Sequence, residues 1–134
     1  MQIPHYNPGA RPDILVVDDY VDALEVWAVW LTTEGFDVRT ASTGPEALEA
    51  VAVRVPDVIV MDLVLPGLSG LDVARELRRR DGTRHVPLIA VTGCTDEDDL
   101  AIARQLGFAA VLVKPCQPPV LVDEIRRLLG SRRA

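Results

Sequence analysis

Five short apolar runs alternate with five segments of helical period, and this alternation limits the fold more than any other feature of the sequence. At least three of the runs are continuously apolar, which is typical of parallel strands that are buried on both faces. The strands are predicted at 14–17, 36–41, 57–61, 87–91 and 109–113. The helices are predicted at 20–34, 44–54, 69–80, 96–106 and 117–129. The pattern therefore predicts an α/β fold.

Residues that commonly start and end helices support these limits. Gly35 is a stop signal after the first helix, and Pro45 lies near the first position of the second. Ser69 can cap the third helix. With right-handed crossovers, five such βα units form a doubly wound open sheet, whose functional sites lie at the carboxyl ends of the strands.

The length of 134 residues accommodates one domain with a single core, which we predict at 13–130. Residues 1–12 are rich in proline and are predicted to form a flexible lead-in, and 131–134 to form a short C-terminal tail. Because only five residues follow Leu129, we expect no effector domain after it; the alternative is a domain cut from a larger protein.

Charge and hydropathy exclude several classes of partner. The net charge of −6 argues against a nucleic-acid surface, and the basic run 78–80 fits the last turn of a helix. No apolar run approaches the ~20 residues of a membrane span, and the start of the chain is not a signal peptide. Cys94 and Cys116 form no disulfide framework, so we expect reduced thiols in a cytoplasmic protein.

Charged and hydroxyl side chains stand at the ends of four predicted strands. They are Asp18 and Asp19 after the first, Asp62 after the third, Thr92 after the fourth and Lys114 after the fifth. A strand-terminal aspartate is most often a helix cap, so each residue alone is a weak signal. Because the ends of parallel strands meet at one edge, the set predicts a pocket of three carboxylates, one ammonium and one hydroxyl.

Such a pocket suits phosphoryl transfer. Clustered carboxylates repel one another unless a cation offsets them, and their hard oxygens select Mg²⁺ or Mn²⁺. The metal and a lysine would neutralise the oxygens of a phosphoryl group, while one carboxylate acts as the nucleophile and becomes an aspartyl phosphate. A threonine hydroxyl at the facing strand end can then bond a phosphoryl oxygen.

The chain resembles the response-regulator receiver domains of two-component signalling. The resemblance rests on VVDDY, VIVMDLVLPGLSG, IAVTGCT and VLVKP, in the family's order and spacing, and extends over residues 13–129. It implies a flavodoxin-like five-stranded parallel sheet in the order 2-1-3-4-5. It also implies a stand-alone signalling switch that accepts a phosphoryl group from a phosphohistidine donor and is not a turnover enzyme.

The resemblance assigns a role to each residue of the pocket. Asp62 would be the phosphoacceptor, and Asp19 and Asp62 would ligate Mg²⁺ directly. Asp18 would bind the ion through water, and the backbone carbonyl of Val64 would complete the protein ligands. Lys114 would pair with the acceptor carboxylate or its phosphate.

Further roles follow from the same resemblance. Thr92 would be the switch hydroxyl, the Lys114–Pro115 bond would be cis, and Gly70 would help to shape the loop after the acceptor. The implied partners are a histidine kinase or histidine phosphotransfer protein, docked on the face of helix 20–34, and a downstream protein target. The chain would be a monomer or a weak dimer.

The sequence departs from the family pattern at three positions near the pocket. Val111 replaces the usual tyrosine or phenylalanine. Its stiff side chain cannot signal activation by a large change of rotamer. Val64 and Cys94 flank the expected path of attacking water, and neither offers a carboxylate or an amide to orient it. We therefore predict slow self-dephosphorylation.

The first helix is unusually apolar for a surface helix. The family register predicts an inward face and leaves another apolar set nearer solvent, where such patches often mark partner sites. The residues predicted inward are Ala23, Trp27, Trp30 and Leu31. Those predicted outward are Val21, Leu24, Ala28 and Val29.

Three other classes of protein fit the sequence less well than a receiver domain. A pseudo-receiver that binds partners without phosphorylation usually lacks part of the acidic pocket, which is filled here. A haloacid-dehalogenase-type phosphatase needs a second aspartate two residues after the nucleophile, where this chain has Tyr20 or Val64. Nucleotide-binding α/β enzymes are disfavoured because no glycine-rich loop follows the first strand.

Overall fold

The structure, a computed structural model, describes residues 10–133. Most of the predicted lead-in therefore lies outside the described residues. Within its last part, the Arg11 guanidinium donates hydrogen bonds to the Asp37 carboxylate at 3.1 Å and to the carbonyl oxygens of Thr32 at 2.8 Å and Phe36 at 3.0 Å. Arg11 thus holds the start of the first strand against the turn that precedes the second.

Strands and helices alternate along the described residues, as the sequence predicts. The strands are β1 (Asp13–Val17), β2 (Asp37–Ala41), β3 (Val58–Met61), β4 (Leu88–Thr92) and β5 (Ala110–Val113). The helices are α1 (Val21–Thr33), α2 (Gly44–Val53), α3 (Gly70–Arg79), α4 (Glu97–Gln105) and α5 (Pro118–Arg133). All neighbouring strands are parallel, in the order β2-β1-β3-β4-β5. The predicted fold class and strand order are confirmed.

The sheet buries side chains on both of its faces. Alternate residues of β1 point to opposite sides, so Leu15 and Val17 join a core under α2 and α3, whereas Ile14 and Val16 join a core under α1 and α5. Strands β1, β3 and β4 are buried throughout. Burial of each large aliphatic side chain is worth about 1.5–3 kcal/mol, so these central strands hold the site on a rigid support.

Side-chain caps fix the starts of the helices that carry site loops. Ser69 accepts a hydrogen bond from the backbone N–H of Asp72, whose carboxylate accepts one from the backbone N–H of Ser69. This reciprocal capping box confirms the predicted start of α3. The side chains of Thr43 and Asp96 cap α2 and α4, each by accepting one hydrogen bond from a backbone N–H in the first turn. Each cap contributes about 1 kcal/mol.

The predicted register of α1 was wrong at two positions. Leu24 is buried, with 6% of its surface exposed, whereas Trp30 is 41% exposed. The inward stripe follows the spacing of Leu24, Trp27 and Leu31, which face α5 and the sheet. Trp30 precedes Leu31 by one residue and is therefore turned about 100° away from that stripe.

Helix α5 continues beyond its predicted end at residue 129 and reaches Arg133. Gly130 does not adopt a left-handed backbone conformation and so does not end the helix. By contrast, Gly35 has a φ of 100° and ends the turn after α1, as predicted. Across residues 10–133, every helix is too short or too polar to cross a bilayer.

Candidate functional site

The sheet brings the predicted site residues to its carboxyl edge. Asp18, Asp62 and Lys114 each follow a strand directly, and their backbone N–H groups extend the ladder by one hydrogen bond. The acceptors are the carbonyl oxygens of Ala41 for Asp18, Val17 for Asp62 and Thr92 for Lys114, at 3.1, 3.0 and 2.9 Å. The strands therefore fix where each of these side chains begins.

Lys114 joins two buried carboxylates. Its Nζ donates to Oδ2 of Asp18 and to Oδ2 of Asp62, both at 2.9 Å. Asp18 is 3% exposed and Asp62 is 7% exposed, so these charge-assisted hydrogen bonds are poorly screened by solvent. The Lys114–Pro115 peptide bond is cis, as the family resemblance implies.

The surroundings of Lys114 keep it protonated. Partial burial lowers the pKa of the Lys114 ammonium, but its hydrogen bonds to Asp62 and Asp18 and their negative charges outweigh this effect and raise it above the usual lysine value. Because the folded-state pKa is raised, the stabilising contribution is present at neutral pH. It is lost only as the pH rises through that raised pKa.

The second oxygen of each carboxylate is held by the local backbone. Oδ1 of Asp62 accepts from the backbone N–H of Val64 at 2.9 Å, and Oδ1 of Asp18 accepts from that of Tyr20 at 3.0 Å. Among the described residues, no buried side-chain nitrogen or oxygen lacks a partner. Both carboxylates are therefore fixed in orientation as well as in position.

Three carboxylates form a group that could hold a cation. Asp18, Asp19 and Asp62 each offer an oxygen, and these atoms all lie within 4.8 Å of one another. Asp19 is exposed, so the group opens to solvent on one side. Three carboxylates face a single ammonium, and hard oxygen donors with excess negative charge fit Mg²⁺.

Thr92 connects this site to α4 through a contact that the sequence does not reveal. Its side chain is fully buried, and Oγ1 accepts from the backbone N–H of Cys94 at 3.1 Å. The Cys94 thiol in turn donates to Oδ2 of Asp99 in the first turn of α4, at 3.7 Å. Spacing alone could not have placed a thiol against that carboxylate.

Gly70, the first residue of α3, packs directly on the backbone of Asp62. A Cβ atom at Gly70 would lie 2.2 Å from the Asp62 carbonyl oxygen and 2.9 Å from Cα of Leu63. The Gly70 N–H also donates to the Leu63 carbonyl at 3.0 Å. Glycine is therefore required here by close approach, which is a stronger constraint than the loop-shaping role expected from sequence.

Proteins with similar sequences are bacterial response regulators. The DNA-binding response regulator MtrA of Mycobacterium tuberculosis (strain H37Rv) is 39% identical over 119 residues, which cover 89% of this chain and 51% of MtrA. The response regulator PleD of Caulobacter vibrioides is 35% identical over 115 residues, which cover 86% of this chain and 25% of PleD. The chain spans about half of MtrA and about a quarter of PleD.

Solved structures with the same fold superpose on almost the full length of this chain and of the matched chain. A response regulator receiver domain protein from Clostridium thermocellum superposes with a TM-score of 0.83 at 31% identity, covering 91% of this chain and 97% of that one. The chemotaxis protein CheY4 of Vibrio cholerae gives 0.83 at 27% identity, covering 89% and 99%.

The family model described as "Response regulator receiver domain" matches residues 14–126, from β1 into α5. Receiver domains act as signalling switches that interact with histidine kinases and downstream targets, and they are not enzymes that turn over a separate substrate. The match, the strand order and the bacterial relatives agree with the resemblance carried by the four sequence motifs. This chain belongs to the response regulator receiver domain family.

Proposed function

We propose that the chain is a phosphorylation-controlled switch that accepts a phosphoryl group from a phosphohistidine donor onto Asp62. One observation carries this proposal: Asp62 is buried, held by Lys114 and the Val64 N–H, and lies beside the carboxylates of Asp18 and Asp19. A nucleophile needs this kind of fixed orientation, because positioning and electrostatics account for most of the catalysis of phosphoryl transfer.

Asp18, Asp19 and Asp62 would hold Mg²⁺ (or Mn²⁺), with the Val64 carbonyl as a further ligand. The ion, when bound, would supply positive charge that offsets the phosphoryl oxygens and the clustered carboxylates. Lys114 would supply the second positive charge through its hydrogen bond to Oδ2 of Asp62. Its raised pKa supports this role, because the ammonium stays protonated at neutral pH.

Thr92 is proposed as the hydroxyl that reports phosphorylation. Its Oγ1 accepts from the Cys94 N–H through a lone pair, so its own O–H can still donate to a phosphoryl oxygen. Val111 lies on β5 beside Ala90 of β4 and packs against the core under α2 and α3. A small, branched side chain at that position supports output through the loop and start of α4.

The proposed kinase-docking face is the outer surface of α1. Val21, Val26 and Val29 are each more than half exposed there, in a helix with few charged side chains. Exposed apolar patches commonly mark partner sites, and α1 begins two residues after Asp19 of the proposed site. We propose residues 13–130 as the domain that performs these functions.

The test of this function is phosphorylation of Asp62 by a small donor. Wild type, Asp62→Ala and the surface control Asp81→Ala would be treated with acetyl phosphate, with Mg²⁺ or with a chelator, and the intact proteins weighed. We expect a gain of about 80 Da in wild type and Asp81→Ala, only with Mg²⁺, and none in Asp62→Ala. Absence of the gain in wild type would favour the pseudo-receiver alternative.

We also expect the aspartyl phosphate to be long-lived. The Val64 side chain is 60% exposed at the mouth of the site and, like Cys94, offers no group to orient water. Loss of phosphate after removal of acetyl phosphate should therefore take minutes or longer, and Val64→Asn should accelerate it about tenfold by supplying an amide. Decay of the wild type within seconds would contradict this expectation.

A further inference from the structure

An open groove of ≈ 710 Å³ lies between the first half of α1 and the segment that joins β5 to α5. Its walls are mainly apolar: Ala23, Val26 and Trp27 on one side, and Pro115, Cys116 and Pro118 on the other. Burial raises the pKa of the Cys116 thiol, so it is uncharged at neutral pH and that wall stays apolar. The groove therefore suits a hydrocarbon chain better than a polar one.

One end of the groove is built from residues of the acceptor site. Lys114 lines the groove and also donates to Oδ2 of Asp62. Tyr20 lines it as well, and the Tyr20 backbone N–H holds Oδ1 of Asp18. A molecule whose phosphoryl group reaches Asp62 can therefore place a short tail in the groove.

The charges at the groove indicate which kind of molecule fits. Lys114 is the only lysine in the sequence, and at the acceptor end its ammonium is paired with Asp18 and Asp62. A phosphoryl head there would therefore also need the ion that the carboxylates of the proposed site would hold. Asp22 is the other charged residue of the lining and disfavours a second anionic group farther along, so a neutral apolar tail fits the rest of the groove.

We infer that this groove binds the tail of small phosphodonors, so that the chain prefers straight-chain acyl phosphates longer than acetyl phosphate. This inference rests on the proposed function of Asp62. In the transfer, one Asp62 carboxylate oxygen forms a bond to phosphorus and the phosphorus–oxygen bond to the acyl group breaks. The acyl group leaves as a carboxylate with the electron pair of that bond, and its chain lies against Val26 and Trp27.

The test compares hexanoyl phosphate with acetyl phosphate as donors to the full chain in the presence of Mg²⁺. The two donors release carboxylates of nearly equal basicity, so their rate ratio isolates the tail. Partial burial of four additional methylenes should make hexanoyl phosphate about tenfold faster in wild type. A ratio near one, with both donors active, would overturn the inference and leave the proposed function intact.

Two matched variants locate the effect. Val26 and Val29 are 53% and 67% exposed on the same helix, but only Val26 lines the groove. Val26→Asp should bring the rate ratio close to one, because a carboxylate in the groove rejects the tail, whereas Val29→Asp should retain it. Equal ratios in the two variants would remove the groove as the cause.

A binding measurement tests the groove without phosphoryl transfer. In a Trp30→Phe background, Trp27 is the only tryptophan and reports on the groove by fluorescence. Hexylphosphonate should bind about tenfold more tightly than methylphosphonate, and Val26→Asp should abolish the difference. Equal affinities would overturn the inference, whereas failure of both acyl phosphates to label Asp62 would count against the proposed function.

Discussion

Replacing Gly70 with alanine is expected to lower the free energy of unfolding by about 3 kcal/mol and to reduce phosphorylation of Asp62. The added Cβ would lie 2.2 Å from the Asp62 carbonyl oxygen, and its other close neighbours are also backbone atoms. Backbone atoms cannot move aside as a flexible side chain can. Either α3 or the segment that carries Asp62 must therefore shift.

Urea unfolding of Gly70→Ala, with Gly82→Ala as the control, measures this effect. A Cβ at Gly82 would meet no atom within 4 Å, so that variant should unfold within about 0.5 kcal/mol of wild type. Equal stability of the two variants would show that the approach of α3 to Asp62 is looser than the structure indicates.

Replacing Asp13 with alanine is expected to cost about 3 kcal/mol of stability without preventing phosphorylation. Asp13 is 2% exposed at the amino end of β1, and its carboxylate accepts two hydrogen bonds from Arg39, at 2.8 and 3.2 Å. Arg39 also donates to the carbonyl oxygens of Ala50 and Arg54, so the pair joins β1 and β2 to the end of α2. Without Asp13, the partly buried guanidinium of Arg39 loses its carboxylate partner.

The control for Asp13 is another aspartate–arginine pair. Asp37 is bound by Arg11 at 3.1 Å, but both side chains are about half exposed, so Asp37→Ala should change stability by less than about 1 kcal/mol. Phosphorylation of Asp62 should survive both changes, because Asp13 lies at the edge of the sheet opposite the acceptor. Comparable losses in the two variants would mean that burial does not determine the strength of the Asp13 pair.

The site was predictable from sequence because its residues occupy positions that topology alone determines. Continuously apolar runs identify β1, β3 and β4, and the ends of parallel strands must meet at one edge. Asp18, Asp62 and Lys114 therefore come together however the loops are built. Their separation along the chain, up to 96 residues between Asp18 and Lys114, does not weaken this argument.

Packing details were harder to predict from the sequence, because they depend on contacts with other helices and strands. An apolar helix such as α1 has several candidate inward faces, and packing against the sheet and α5 selects Leu24 over Trp30. Similarly, Arg78 lies in the last turn of α3, as expected, but the sequence did not indicate its partners. Its guanidinium donates to the carbonyl oxygens of Leu106, Arg84 and Val86 and so joins α3 to the end of α4.

The long reach of Lys114 has a mechanical consequence. Lys114 directly follows the edge strand β5. Its side chain extends past the end of β4 and donates hydrogen bonds to carboxylates that follow the central strands β1 and β3. A change in the charge carried by Asp62 would therefore change the electrostatic attraction acting on the residue that follows β5. Chemistry at the centre of the sheet would in this way reach its edge strand through one side chain.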